Sequence, residues 1–424
     1  MKLATYHVTP DARAPQVDPR EVQGTSWAQF GDELLLYADD TAWGRVVEGA
    51  RRGARQLQEH QTTVQREHMY LVVQNGRLFQ QEHPDVPVII DRGRFLLVDL
   101  DPDRASQLQG DQATCYGVHP LEDNQVVFDV RARTAADRAA PVAWIQSLID
   151  RLSRSRLEED LTQLVSHPTR LSTSTHFADA AAWARGQLEA MGYVTRVQHI
   201  TVHGKVSQNI IADQLGSDVD GQGVVLLGAH LDSINQRGGA AANAPGADDN
   251  GSGSVGLLQI ARVLRDHRGL HDVRFALFGG EEQGLFGSTQ YVASLPPAER
   301  ARIRAVVNMD MIGSLNSPLP SVLLEGAPLS QAVIDGLSQA AATYTQLRIE
   351  TSLQPFASDH VPFNQAGIPA VLTIEGADNA NGNIHSHRDT IDHINYDLAL
   401  EILRMNVAFI ASAVGHRETN PCSA

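Results

Sequence analysis

From Pro141 onward the hydrophobic pattern switches repeatedly between helical and extended spacing, and this alternation narrows the fold more than any other feature of the chain. Residues 142–164 and 177–191 carry apolar positions at helical intervals, with Gly192 stopping the second run. Residues 193–200 and 210–215 read as extended. Val224-Val-Leu-Leu-Gly is apolar throughout, the pattern of a strand covered on both faces. Helices are predicted over 252–264, 329–343 and 397–414, and strands over 273–278, 305–309, 322–324 and 370–374. Helix and strand in alternation over about 280 residues define an α/β domain.

Residues 1–140 have a different character. Tyr70-Leu-Val-Val-Gln, Asn75-Gly76 and Arg77-Leu-Phe-Gln predict a hairpin, because Asn-Gly suits the positive φ angles of a tight turn. A second strand pair is expected over 86–91 and 95–100, a short helix after Asp101-Pro102 and a strand over 125–131. His60, His68, His83 and His119 lack metal-ligand spacing. The small, polar stretch 132–140 reads as a linker. The expected division is an α+β accessory domain over 1–140 and a second domain over 141–424.

With 34 Lys plus Arg against 50 Asp plus Glu, the formal charge is -16, and no basic run interleaves with aromatic residues. Nucleic acid is therefore not an expected partner. The stretch 402–414 is too short to span a bilayer and contains Arg404 and Asn406, so no membrane segment is expected. The first ten residues contain no apolar signal-peptide core, which fits a cytoplasmic protein or the mature form of an exported one. Cys115 and Cys422 exclude a disulfide scaffold and a thiolate zinc cluster, and leave a single bridge open.

Five stretches of the α/β region carry residues suited to chemistry, each just after a strand or in a loop, where open α/β sheets place their ligand crevice. Gly228-Ala-His-Leu-Asp-Ser presents His230, with Asp232 two residues on and able to accept the second ring N–H. Ala244-Pro-Gly-Ala-Asp-Asp-Asn-Gly-Ser-Gly is an acidic, glycine-rich loop containing Asp248 and Asp249. Phe275-Ala-Leu-Phe-Gly-Gly-Glu-Glu-Gln-Gly ends in the pair Glu281-Glu282. Asp310 closes the apolar run Val306-Val-Asn-Met, and Asn383-Ile-His-Ser-His-Arg-Asp-Thr offers His385 and His387. Any one of these alone reads as a solvated turn, a helix cap or a loop histidine. Together, histidines and carboxylates at successive strand ends, one carboxylate among them free to bridge, are what a pair of zinc ions requires.

On these motifs residues 141–415 resemble the co-catalytic di-zinc aminopeptidase family, which includes the bacterial leucine aminopeptidases and yeast aminopeptidase Y, with glutamate carboxypeptidase and the transferrin receptor as distant relatives. The resemblance implies a zinc-exopeptidase type α/β fold, a mixed, mostly parallel central sheet flanked by helices. It implies that His230 and Asp310 hold one zinc, Glu282 and His385 the other, and that Asp249, which precedes x-x-Ser-Gly, bridges both. It makes Glu281 the general base and Asp232 the partner of His230, and it implies a cis peptide after Asp249. Ser358-Asp359-His360 matches a family segment lining the cleft. Just before it several relatives carry a tyrosine, where this chain has Phe356, whose ring cannot donate to an oxyanion. Ser358, Asp359 and Phe356 are the expected substrate-facing residues.

The function expected on this basis is hydrolysis of the first peptide bond of a peptide or small protein with a free N-terminus, with two zinc ions per chain. The rivals are a carboxypeptidase or dipeptidase, a single-zinc enzyme like glutaminyl cyclase, and a non-catalytic binding module. The chain contains neither G-x-S-x-G nor a P-loop motif, so serine hydrolase and nucleotide-hydrolase readings have no support.

Overall fold

Aliphatic runs become strands in both parts of the chain. The computed structural model describes residues 1–8, 23–53, 57–108, 116–131, 139–217 and 223–416. Two units emerge, Met1–Ala132 with Glu350–Ala357, and Arg133–Ile349 with Ser358–Ala424. Residues 132–138 of the expected linker, and both cysteines, lie outside the described residues.

In the first unit the strands are β1 (Lys2–His7), β2 (Ser26–Phe30), β3 (Glu33–Ala38), β4 (Leu57–Glu59), β5 (Met69–Gln74), β6 (Val88–Arg92), β7 (Phe95–Asp99), β8 (Tyr116–Pro120) and β9 (Gln125–Arg131). The helices are α1 (Asp40–Gly53), α2 (Leu78–Glu82) and α3 (Pro102–Leu108). One run of strands has the order β9-β2-β3-β1-β4, and a separate antiparallel sheet has the order β6-β7-β5-β8. The hairpin expected after Asn75-Gly76 does not form. Gly76 does turn at φ 58, but the chain then enters α2. The buried side chain of Gln74 accepts from the Phe79 N–H at 3.1 Å and donates to Gln80 at 3.0 Å and to the Gly93 carbonyl at 2.8 Å. Phe79 is thereby placed against Tyr116 in the core, and β5 pairs with β7 and β8 instead. Burial of one aromatic ring and satisfaction of one buried amide outweigh the local turn preference.

The second unit alternates helix and strand. Its helices are α4 (Ala143–Ile149), α5 (Arg154–Val165), α6 (Thr175–Ala190), α7 (Gly253–Leu264), α8 (Phe286–Ser294), α9 (Pro297–Arg302), α10 (Gln331–Tyr344), α11 (His360–Gln365) and α12 (Tyr396–Val414). Its strands are β10 (Val194–Val202), β11 (Lys205–Gln214), β12 (Val224–His230), β13 (Asp272–Phe278), β14 (Ile303–Met309), β15 (Ser321–Gly326) and β17 (Ala370–Glu375), with β16 (Arg348–Ser352) at the unit boundary. The helix predicted over 142–164 is broken in two, because the Ser153 side chain accepts from the Arg156 N–H and starts a new helix. Ser174 and Asn395 cap α6 and α12 in the same way. No helix among the described residues is long and apolar enough to cross a membrane.

These strands run in the order β10-β11-β13-β12-β14-β17-β15. The pairs β12–β13, β12–β14 and β14–β17 are parallel, while β10–β11, β11–β13 and β15–β17 are antiparallel. The sheet is thus mixed, with a parallel centre. The chain leaves β12 toward β13 on one side and leaves β14 toward β15 on the other, so the direction of the crossover reverses between β12 and β14. That reversal opens a crevice at the carboxyl ends of β12, β13 and β14.

Alternate residues of the strands face opposite layers. Ile211, Leu226, Ala276, Phe278 and Val306 pack with Tyr291 of α8 and Phe363 of α11. Phe363 is fully buried, with ring centroids 6.2 Å from Phe278 and 5.9 Å from Tyr291. Replacing it with alanine removes most of a ring from a close-packed layer, so Phe363→Ala is expected to destabilise the protein by about 3–5 kcal/mol. Equilibrium denaturant unfolding checks this, and a loss below about 1 kcal/mol would show that the site collapses around the missing ring.

Candidate metal centre

Three strand ends and two loops bring the predicted residues together. His230 is the last residue of β12, Glu281 and Glu282 follow β13, Asp310 follows β14, and His385 lies in the loop after β17. Asp249 comes from the turn between β12 and α7, where the Asp249–Asn250 peptide is cis, as the family resemblance implied.

The Asp249 carboxylate stands between the two imidazoles. Its Oδ1 is 3.3 Å from His230 Nε2, and its Oδ2 is 2.9 Å from His385 Nε2. On the His230 side, Nε2 is also 3.2 Å from Asp310 Oδ1 and 4.0 Å from Glu281 Oε2. On the other side, His385 Nε2 is 3.1 Å from Glu282 Oε2. Two triads, His230–Asp249–Glu282 and His230–Glu281–Asp310, have donor atoms within 4.8 Å of one another. His387 is exposed, whereas His385 turns inward at φ 52. Asp248, the other carboxylate of the loop, points away from the imidazoles: it accepts from the Gly313 N–H at 2.9 Å and from Asn381 at 2.8 Å.

Neighbouring groups fix each of these side chains. Ser358 donates to Asp310 Oδ2 at 2.7 Å and accepts from Asn308 at 2.9 Å, so it orients a carboxylate from within the buried interior. His230 Nδ1 faces the Asp232 backbone carbonyl at 3.2 Å, while the nearest Asp232 carboxylate oxygen, at 3.7 Å, is outside hydrogen-bond range. The Asp232 carboxylate instead accepts the backbone N–H groups of Glu281 and Glu282, each at 3.3 Å. One carboxylate thus clamps the turn from which two others leave. Asp359 is fully buried. Phe356 belongs to the first unit, where the Arg94 guanidinium lies 5.9 Å from its ring centroid.

Two structural residues carried no distinguishing signal in the sequence. Asp389 accepts from the Asp248 and Asp249 N–H groups at 3.0 and 2.9 Å and so holds the backbone of the acidic loop. Arg170, fully buried, donates to the carbonyls of Leu231 at 2.8 Å, Gly246 at 2.9 Å and Pro245. It ties the end of β12 to the loop that carries Asp249. A lone arginine or aspartate in a polar loop looks the same in sequence whether it serves as anchor or surface charge.

Electrostatics follow from this crowding. Burial alone depresses an imidazole, yet Asp310 and Glu281 hold His230 well above its ordinary pKa, and Glu282 and Asp249 do the same for His385. Burial raises Glu281 well above the usual carboxylate range, and burial together with Asp249 lifts Glu282 to about 7. Burial lifts Asp359 to about 7 and, with Asp248, Asp389 to about 8. Burial also works against Asp249, but hydrogen bonds from both imidazoles outweigh it and its pKa is lowered. The buried oxygen Glu282 Oε1 has no hydrogen-bond partner, an expensive condition for a carboxylate unless a cation takes it up. Imidazole nitrogens and carboxylate oxygens at these spacings fit zinc.

Donor set, spacing and placement at the carboxyl ends of parallel strands define an α/β protein with a candidate metal centre. Residues 209–410 match the family model described as Peptidase family M28. The chain is 30% identical over 289 residues to leucine aminopeptidase 1 of Arthroderma otae, covering 63% of this chain and 75% of that protein. This chain belongs to peptidase family M28. Its fold is similar to that of the LapA aminopeptidase of Legionella pneumophila, with a TM-score of 0.59, 19% identity and coverage of 82% of this chain and 99% of that one. It is also similar in fold to the glutaminyl cyclase of Porphyromonas gingivalis, with a TM-score of 0.52, 20% identity and coverage of 62% and 99%. One fold thus serves two chemistries, and the site must discriminate between them.

Arg170→Met removes a buried cation and leaves three carbonyls without their donor. The expected loss of stability is about 3–5 kcal/mol, measured by denaturant unfolding. Arg170→Lys keeps the charge but lacks the planar fork, so it is expected to recover only part of that loss.

Proposed function

We propose that this chain is an aminopeptidase that hydrolyses the N-terminal peptide bond of peptides, with two zinc ions bound at the centre and Glu281 as general base. The observation that carries the reading is the division of one carboxylate between two imidazoles: Asp249 directs Oδ1 to His230 and Oδ2 to His385. His230 and Asp310 would hold one ion, Glu282 and His385 the other, and Asp249 would join them. When bound, zinc supplies Lewis acidity and lowers the pKa of water toward neutrality.

The chain's own residues supply the rest. Asp232 clamps the backbone of both glutamates, so their carboxylates leave one turn in fixed and different directions. Glu282 faces His385, while Glu281 Oε2 lies 4.0 Å from His230 Nε2. Glu281 takes the proton of the attacking water and hands it to the leaving amine, a role suited to a carboxyl whose burial raises its proton affinity. The concentration of buried acids around it, Asp359 included, attracts the free α-ammonium of the substrate, which restricts cleavage to chain ends. Residues 141–424 form the peptidase domain in this reading, and residues 1–140 are accessory to it. The matched family and the leucine aminopeptidase relative support the assignment of substrate class.

Glu281→Gln preserves shape and removes the base. It is expected to lower kcat by about 10²–10⁴-fold while elemental analysis still finds two zinc ions per chain. Near-normal turnover in a fully loaded variant would remove Glu281 from its role, and one tightly held zinc at full activity would favour the single-zinc reading.

Metal binding is expected to depend on pH with a definite sign. Glu282 holds its proton up to about 7, and both histidines hold theirs above the ordinary range, so each must lose a proton to become a ligand. Zinc affinity should therefore fall as pH drops through 7, with protons released on binding. Calorimetry in buffers of different ionisation enthalpy measures that release, and an affinity flat from pH 8 to 6 would contradict it.

A further inference from the structure

Several arginines of this acidic chain face a carboxylate. Arg154 pairs with Glu158 and Asp397, Arg185 with Glu189, and Arg104 with Asp85. Arg237 and Arg388 do not: among the described residues neither makes an ion pair, although the chain carries a formal charge of -16. Both instead donate Nη2 to one acceptor, the carbonyl of Gly382, at 3.3 Å and 2.8 Å. The two nitrogens are therefore no farther apart than the sum of those distances. Two exposed guanidiniums drawn to one carbonyl repel each other and give up rotamer freedom, and a single neutral oxygen is a weak return for both.

Their position gives the arrangement a use. Gly382 is three residues before His385, and Arg388 is three residues after it, next to the Asp389 that holds the acidic loop. Arg237 follows Gln236, whose N–H donates to the His385 carbonyl at 3.0 Å. The turn carrying Arg237 is itself fixed, since Asn235 Oδ1 accepts from the N–H groups of Arg237 at 3.0 Å and Gly238 at 2.6 Å. Both residues are exposed, Arg388 in the same loop as the imidazole that faces Asp249 and Glu282 and Arg237 on a segment hydrogen-bonded to its backbone.

We propose that Arg237 and Arg388 form a carboxylate-binding subsite at the rim of the centre, which makes this enzyme prefer peptides that carry a carboxylate a short distance beyond the scissile bond. The inference rests on the aminopeptidase reading and adds to it a substrate class. The peptide's ammonium is drawn to the buried acids while its carboxylate meets two forked donors, a match of charge at both ends. Two sources offer this chemistry, the free C-terminus of a short peptide and the side chain of an Asp or Glu.

The test compares the zinc-loaded full chain with its Arg237→Gln/Arg388→Gln variant on four substrates: leucine p-nitroanilide, Leu-Gly-Gly as free acid, Leu-Gly-Gly-amide and Leu-Glu-Gly-amide. For the wild type, KM for a carboxylate-bearing peptide is expected to be about tenfold below that for Leu-Gly-Gly-amide, the size of one charge-assisted contact. In the variant that ratio should fall to one with kcat unchanged, because binding common to ground and transition states is what has been removed. Hydrolysis of leucine p-nitroanilide, which has no carboxylate, should be the same in both proteins. A KM advantage confined to the free acid identifies the C-terminus as the source, and one confined to the glutamyl peptide identifies the side chain; both support the subsite. Equal KM for all three peptides in a wild type active on leucine p-nitroanilide, or a ratio that survives in the variant, overturns it. A zinc-loaded wild type inactive on all four substrates would instead overturn the aminopeptidase reading, and the subsite with it.

Discussion

The position of the Asp249 carboxylate between two imidazoles is the interaction on which the rest of the centre depends. At 4 Å two like charges repel by about 4 kcal/mol at an effective dielectric of about 20, and Glu281, Glu282, Asp249 and Asp310 all crowd the same small volume. No stable arrangement gathers them without compensating positive charge. The raised proton affinities of His230, His385, Glu281 and Glu282 express that demand in protons. Divalent cations meet the same demand while leaving the carboxylates ionised, which ties the electrostatics of the site directly to its proposed chemistry.

Such a cluster has to be imposed by the scaffold, and the sheet does so. Parallel strands β12, β13 and β14 end side by side, so residues far apart in sequence leave them at one crevice. Backbone hydrogen bonds then remove the remaining freedom. Asp389 grips the loop of Asp249, Arg170 ties that loop to the end of β12, and Asp232 clamps the turn of the two glutamates. These anchors are themselves buried and charged, so each stabilises the centre only while its partners remain. The adjacency of Glu281 and Glu282 then acquires a physical meaning: a single clamped turn would deliver the proposed ligand and the proposed base a short distance apart.

Much of this could be read from the chain alone, and the failures are instructive. The parallel centre announced itself through apolar runs such as Val224-Val-Leu-Leu-Gly, because a strand covered on both faces has no polar side to show. Asn75-Gly76 misled: it does turn, but Gln74 and Phe79 find better partners in a short helix than a hairpin would provide. Helical periodicity over 142–164 concealed a break at Ser153, since the two segments share spacing and differ only in the cap between them. Ser358 was legible as part of a family segment, whereas its hydrogen bond to Asp310 was not.

What the sequence determined by itself was the order of helices and strands and the presence of histidine or carboxylate just beyond successive strand ends. Periodicity and turn chemistry are local, set by neighbours within a few residues. Only the tertiary structure decided which of those groups meet. It turned Asp249 toward the imidazoles and Asp248 away, chose His385 over the exposed His387 as the residue facing Asp249 and Glu282, and left Arg237 and Arg388 without an ion-pair partner among the described residues. The reason is separation: Asp389 holds Asp249 from 140 residues away, and no local pattern encodes a partner at that distance.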